Sequence, residues 1–234
     1  ELTPHPDLVS RKIAYGTCNF ATGPAMTREH ASAAIEAGWR LVCEEPNGRA
    51  ELIGTGDMGI GNTTASSAIA AVITGVPVER VTGRGTGVDD ATHARKVEII
   101  QRALAVNRPD PTDPLDVLAK VGGFEIAGLI GVILGGAQMR RPVVLDGFIS
   151  GAAALIAAAM HPRVTDYLIA SHLSQEPGHH LMLEHLKLQP LLNLNLRLGE
   201  GTGAALAMPI LEASCKILTE MATFEDAGVS GKIE

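Results

Sequence analysis

Apolar residues along this chain fall into short runs that alternate with longer ones. Glu51-Leu52-Ile53, Val81-Thr82, Pro142 to Gly147 and Asp166 to Ser171 have the length and β-branched content of buried strands. Between them lie Ala-rich stretches of helical length. The pattern predicts helices over Ala31–Ala37 (capped by Thr27 and continuing past Gly38 to Glu44), Thr63–Ile73, Asp89 or Asp90 to Ala105, and Phe124 to about Met139. Further helices are predicted over Gly151–Met160, Gly178 to about Leu188, and Ala204 to about Met221. Leu191 to Arg197 alternates like a strand but is equally compatible with irregular backbone. Strands alternating with helices imply an α/β fold with a mostly parallel sheet: a Rossmann-like, doubly wound, three-layer domain spanning 1–234.

Polar and glycine clusters follow the apolar runs, at Asp57, Gly83, Asp146, Ser171 and Glu200. Ligands of parallel sheets bind outside the carboxyl ends of the strands, so these clusters are expected to converge on one site. Three of them are glycine loops: Gly54 to Gly61, Gly83 to Gly87 and Gly199 to Gly203.

Composition narrows the function. Of 234 residues, 46% are hydrophobic but only 3% aromatic, with 26 glycines, which suits helices packed closely on a sheet. A formal charge of −7 argues against a nucleic-acid partner. The longest apolar run, Ile126 to Met139, is broken by Gly128, Gly131, Gly135 and Gly136, so no membrane span is expected. Cys18, Cys43 and Cys215 are scattered and odd in number, and no signal peptide is visible, so a cytoplasmic location is expected.

The first glycine loop is followed by a helix N-terminus, an arrangement that favours an anion, although a tight strand-to-helix turn uses the same glycines. Gly54 to Gly59 fits the dinucleotide pattern GxGxxG, but Glu79, the acid such a fold needs, precedes the next short apolar run rather than following it. Lys96 follows a glycine loop and reads as a phosphate partner or as an ordinary solvated lysine. His172, His179, His180 and His185 have no acidic cluster to complete a metal site and read as surface histidines near a turn. Glu200 stands between Gly199 and Gly201, which allow an unusual backbone and close ligand approach. Leu196, Leu198 and Ala204 would surround it with apolar groups and strengthen it as a base; the alternative is an exposed turn carboxylate.

Three segments together resemble the nicotinate-nucleotide–dimethylbenzimidazole phosphoribosyltransferases: Gly56 to Thr64, Gly83 to Gly87 with Ala94-Arg95-Lys96, and Arg197 to Gly203. Val144 to Ile149 and Ser171 to His179 are similar as well, so the resemblance covers nearly the whole chain. It implies transfer of phosphoribose from nicotinate mononucleotide to 5,6-dimethylbenzimidazole, giving α-ribazole 5′-phosphate and nicotinate, with no metal or cofactor. It implies Glu200 as the base, with Asp57 as a second, supporting carboxylate. The Gly59 and Gly147 loops, Lys96 and Ser174 would hold phosphate, Met58 and Leu198 would line the aromatic pocket, and Gly61, Asn62, Gly85, Asp146 and Arg197 would complete the substrate site. It also implies a homodimer, with residues 1–26 and 209–234 contributing to a small helical domain. Two departures stand out. Asp57 replaces the family's usual Glu, and an N-terminal segment with a Pro-Pro-Gly-Ser-Leu-Gly-type motif is expected but not present in this sequence. A non-catalytic nucleotide-binding or dimerising remnant and, more remotely, a nicotinamide oxidoreductase are the competing readings.

Overall fold

The computed structural model describes residues 3, 5, 8–44, 50–84 and 89–229. Its centre is β2 (Val143–Leu145), flanked in a parallel sheet by β1 (Ile53–Gly54) and β3 (Leu168–Ala170). All three β2 residues are buried, and strand alternation sends them to opposite faces. Val143 and Leu145 join the main core, where α6 (Phe124–Gln138) and α7 (Phe148–Met160) lie. Val144 joins a smaller cluster with Ala204 and Ala207 of α9 (Thr202–Glu220). Helices therefore cover both faces, as three layers require.

The order of the described strands follows the chain, without the reversal that a doubly wound sheet would show. After β3 and α8 (Pro177–Leu186), the chain returns to the sheet edge and passes alongside residues 170–175 in the same direction, with one isolated parallel bridge, His172 to Leu192. It then enters α9 on the second face. The alternating Leu191 to Arg197 stretch is thus irregular. Val81-Thr82 is not a strand. Pro77 starts a single helical turn, α3 (Val78–Val81), and Thr82 closes it through Oγ1 to the Val78 carbonyl at 2.7 Å. So short an apolar run carries no period to separate helix from strand. Likewise β3 begins only at Leu168, because Pro162–Tyr167 forms a 3₁₀ segment.

The remaining helices follow the sequence pattern closely. Thr27 caps α1 (Arg28–Cys43) by accepting the His30 N–H, and Asp89 caps α4 (Asp90–Asn107) by accepting that of Thr92. α2 (Asn62–Thr74) ends at the left-handed Gly75, and α5 (Pro114–Val121) opens behind Asp113 with proline in its first turn. The described part of residues 1–26 holds no helix, although Ala25 and Met26 donate backbone N–H groups to α5 carbonyls. Beyond Ala207, α9 has no buried residue. Among the described residues no helix is long and apolar enough to cross a membrane.

Two of the glycines that interrupt α6, Gly131 and Gly135, face α1, whereas Gly136 faces Val143 of β2. A Cβ on Gly131 would overlap the Ile35 carbonyl and lie 2.6 Å from the Trp39 nitrogen, whereas one on Gly128 would meet nothing within 4 Å. Alanine in a helix interior gains about 0.5–1 kcal/mol over glycine, while overpacking costs about 1–3 kcal/mol. Gly131→Ala is therefore expected to destabilise and Gly128→Ala to stabilise. Urea unfolding midpoints moving in the same direction for both would contradict this account of the seam.

Candidate active site

The first and third glycine loops touch backbone to backbone beyond the ends of β1 and β2. The Asp57 N–H donates to the Gly199 carbonyl at 2.8 Å. A Cβ on Gly56 would lie 2.5 Å from the Gly201 nitrogen, so a side chain there would drive the loops apart. Gly199 and Gly201 have φ of 81° and 83°, the left-handed region in which glycine is strain-free. Glu200 is held between them at the lip of an open cleft of about 460 Å³, which Asp57, Met58, Ala204 and Met208 also line. A second cleft of about 410 Å³ lies on the other side of Gly56-Asp57-Met58, against Arg11, Lys12 and Glu125.

Asp57 is half-buried, and burial raises its pKa; a hydrogen bond from the Asn62 side chain opposes the shift. Glu125 is also raised, first by desolvation and further by the Asp57 charge, while its own backbone N–H works against both. Two carboxylates thus share the wall between the clefts. The apolar enclosure expected around Glu200 is not formed: Glu200 is exposed, and so is Leu198, at 61%.

Gly83, at the described start of the second glycine loop, joins this edge through Lys96. Its Nζ donates to Thr63 Oγ1 at 2.9 Å in the first turn of α2 and to the Gly83 carbonyl at 3.3 Å. Desolvation pulls the Lys96 pKa down, and the Glu176 charge pushes it back up. The N-termini of α2 and α7 begin at Gly61 and Gly147, neither of which has a side chain to cap them. Gly59 and Met58 are exposed beside the first cleft, and Arg197 is exposed on the approach to the third loop. Ser174 is buried, its Oγ accepting the Glu176 N–H at 3.3 Å. Gly85 lies outside the described residues.

Asp146 departs from its expected place on the substrate surface. It is 1% exposed, and both of its oxygens accept backbone N–H groups from the third loop and the start of α9. His172 and His179 depart too. Each is 1% exposed, whereas His180 and His185 are on the surface. The packing of α8 on α7, where Gly151 leaves room for His179 and Met182, takes His179 out of solvent. Among the described residues no cluster of three or more His, Cys, Asp or Glu could hold a metal. Glu125 escapes sequence reasoning because it stands in the first turn of a helix with no loop signature of its own; the double glycine before it is the available signal.

A phosphoribosyltransferase family model matches residues 1–229, which sets the class. The nicotinate-nucleotide–dimethylbenzimidazole phosphoribosyltransferase of Chloroflexus aggregans is 59% identical over 234 residues, covering 100% of this chain and 66% of that protein. Its counterpart in Desulforudis audaxviator is 63% identical over 225 residues, covering 96% and 64%. The crystal structure of CobT from Thermus thermophilus is similar with a TM-score of 0.94 at 51% identity, covering 99% of this chain and 69% of that one. A structure described as the nicotinate-nucleotide–dimethylbenzimidazole phosphoribosyltransferase of the same organism gives a TM-score of 0.91 at 48% identity, covering 99% and 68%. The chain belongs to the nicotinate-nucleotide–dimethylbenzimidazole phosphoribosyltransferase family. It spans about two thirds of the length of these curated relatives, 66% and 64% of the two above.

The buried histidines set a pH dependence. The Ser174 N–H donates to His179 Nδ1 at 2.9 Å, so the ring proton sits on Nε2. Burial, reinforced by the charges of His172 and His180, pushes the His179 pKa from 6.5 down to about 3. Between those values the unfolded chain binds a proton that the folded one refuses. The His179 contribution to stability therefore falls as pH drops from 6.5 towards 3, by up to about 1.4 kcal/mol per pH unit. Urea titrations from pH 7 to 4 should show a shallower acid loss for His179→Gln than for the wild type; parallel curves would contradict the assignment.

Proposed function

We propose that this chain carries the phosphoribosyl-transfer site of a nicotinate mononucleotide:5,6-dimethylbenzimidazole phosphoribosyltransferase, releasing nicotinate and forming α-ribazole 5′-phosphate. The observation that carries the reading is Glu200, held by its backbone at the lip of a cleft that Asp57 also lines. The bond from the pyridinium nitrogen to ribose C1′ breaks, and nicotinate departs with the electron pair, its ring nitrogen neutral. One benzimidazole nitrogen bonds to C1′, and the proton on the other nitrogen passes to the Glu200 carboxylate. A leaving group that departs neutral needs no metal to carry it away.

Phosphate would lie by Lys96 and the N-termini of α2 and α7, where N–H groups of Asn62, Thr63, Phe148 and Ile149 have no capping side chain. Exposed Met58, Ile60 and Leu198 supply apolar surface for the aromatic base. Asp57 supports Glu200 from the facing loop. The exposed apolar residues Ile217 and Leu218 in the outer part of α9, and Met221 just beyond it, support a place in a small helical domain and a homodimer; a cytoplasmic enzyme completes the reading.

Glu200→Gln keeps shape but cannot take a proton. Its kcat is expected to fall by about 10²–10⁴ while nicotinate mononucleotide affinity barely moves. Lys96→Ala should instead weaken nicotinate mononucleotide selectively, by about 1.5–3 kcal/mol, leaving benzimidazole binding nearly unchanged. Steady-state kinetics and calorimetry separate the two. Near-normal turnover in Glu200→Gln, with loss of turnover in Asp57→Asn, would move the base to Asp57. Sedimentation should give twice the chain mass; a monomer at micromolar concentration would remove the dimer from the proposal.

A further inference from the structure

We infer that Asp146 is a positioning residue that acts through Glu200, an inference that rests on Glu200 being the base. Asp146 follows β2 directly, and β2 is fixed by pairing on both sides. Its backbone N–H donates to Thr55 Oγ1 at 3.2 Å, and Thr55 is itself tied to Ser150 Oγ at 2.9 Å. From this fixed point Oδ2 accepts the Gly201 N–H at 3.1 Å. Oδ1 accepts the N–H groups of Gly203 at 2.8 Å and Ala204 at 3.1 Å.

α9 begins at Gly201, which has no side chain with which to cap it. The cap comes from Asp146, far upstream in sequence, and its position sets where the helix starts. Glu200 immediately precedes that cap. On its other flank, the Gly199 carbonyl is held by the Asp57 N–H. No described residue fixes the Glu200 side chain directly, so its placement comes from these two backbone anchors. His172 stands behind the carboxylate, Nδ1 3.9 Å from Oδ1, and is engaged with Ser171 Oγ at 2.9 Å. With 1% exposure and both oxygens occupied, Asp146 is sealed off from ligand and works on the loop alone.

Asn at this position has the same shape but one acceptor oxygen in place of two. Its amide would face at least one backbone N–H, donor against donor, and release one arm of the clasp. Asp146→Asn is therefore expected to lower kcat on the order of 10²-fold, as a misplaced catalytic group does, with KM for nicotinate mononucleotide within about threefold. In a Glu200→Gln background the same substitution should cost little more, because the group it positions has already been disabled. Losses that multiply in the double variant, an unchanged kcat in Asp146→Asn, or a rise in KM alone would each overturn the inference. Amide exchange on the wild-type chain provides a check that depends on neither activity nor the folding of a variant. The amides of Gly201, Gly203 and Ala204 should be protected well beyond those of an exposed turn, and free exchange there would overturn the clasp. A Glu200→Gln variant with wild-type turnover would overturn the base reading itself, so the two failures are distinguishable.

Discussion

A buried carboxylate must find hydrogen-bond donors, and Asp146 finds all of its own in one stretch of backbone. Much of the site's geometry follows from that pairing. Because β2 lies at the middle of the sheet, Asp146 is as fixed as any residue in the chain. The third glycine loop has no comparable rigidity of its own: two of its residues occupy the left-handed region, and its tip is exposed. Joining the two transfers the order of the core to a loop at the surface. The loop in turn receives the Asp57 N–H, so the first glycine loop is fixed through the same connection.

Glycine has two separate uses in this molecule. In the loops it permits backbone angles and close approach at the cleft, as at Gly56, Gly199 and Gly201. In α6 it removes side chains so that α1 can approach the helix axis, as at Gly131. The second use gives α6 a composition that would otherwise look poor for a helix. Packing against α1 and the apolar core offsets the propensity lost at each glycine.

The first and third glycine loops, the strands around Val143 and Leu168, and most helices are legible because each carries a local signature: a cap, a stop, or an uninterrupted buried run. What is not legible depends on partners distant in sequence. Asp146 looks like a ligand group because it ends a strand, and only the arrival of Gly201, Gly203 and Ala204 shows that its oxygens are already used. His172 and His179 look like surface residues because they adjoin a polar turn, and only tertiary packing encloses them. Glu200 looks enclosed because Leu196 and Leu198 closely precede it in sequence, yet Leu198 is itself exposed and joins no core. Val81 is too short a signal to carry a period.

α9 is held at one end and bare at the other. Its nineteen residues make a rod about 28 Å long at 1.5 Å per residue, and only its first turns are buried. Pro209, inside the helix, removes the N–H that would otherwise bond to the Ala205 carbonyl and leaves a soft point along the rod. In mechanical terms α9 is a lever whose fulcrum is the Asp146 clasp. A packing partner for Ile217 and Leu218 on the outer turns would bear on a rod whose anchored end adjoins Glu200, with Pro209 between the two.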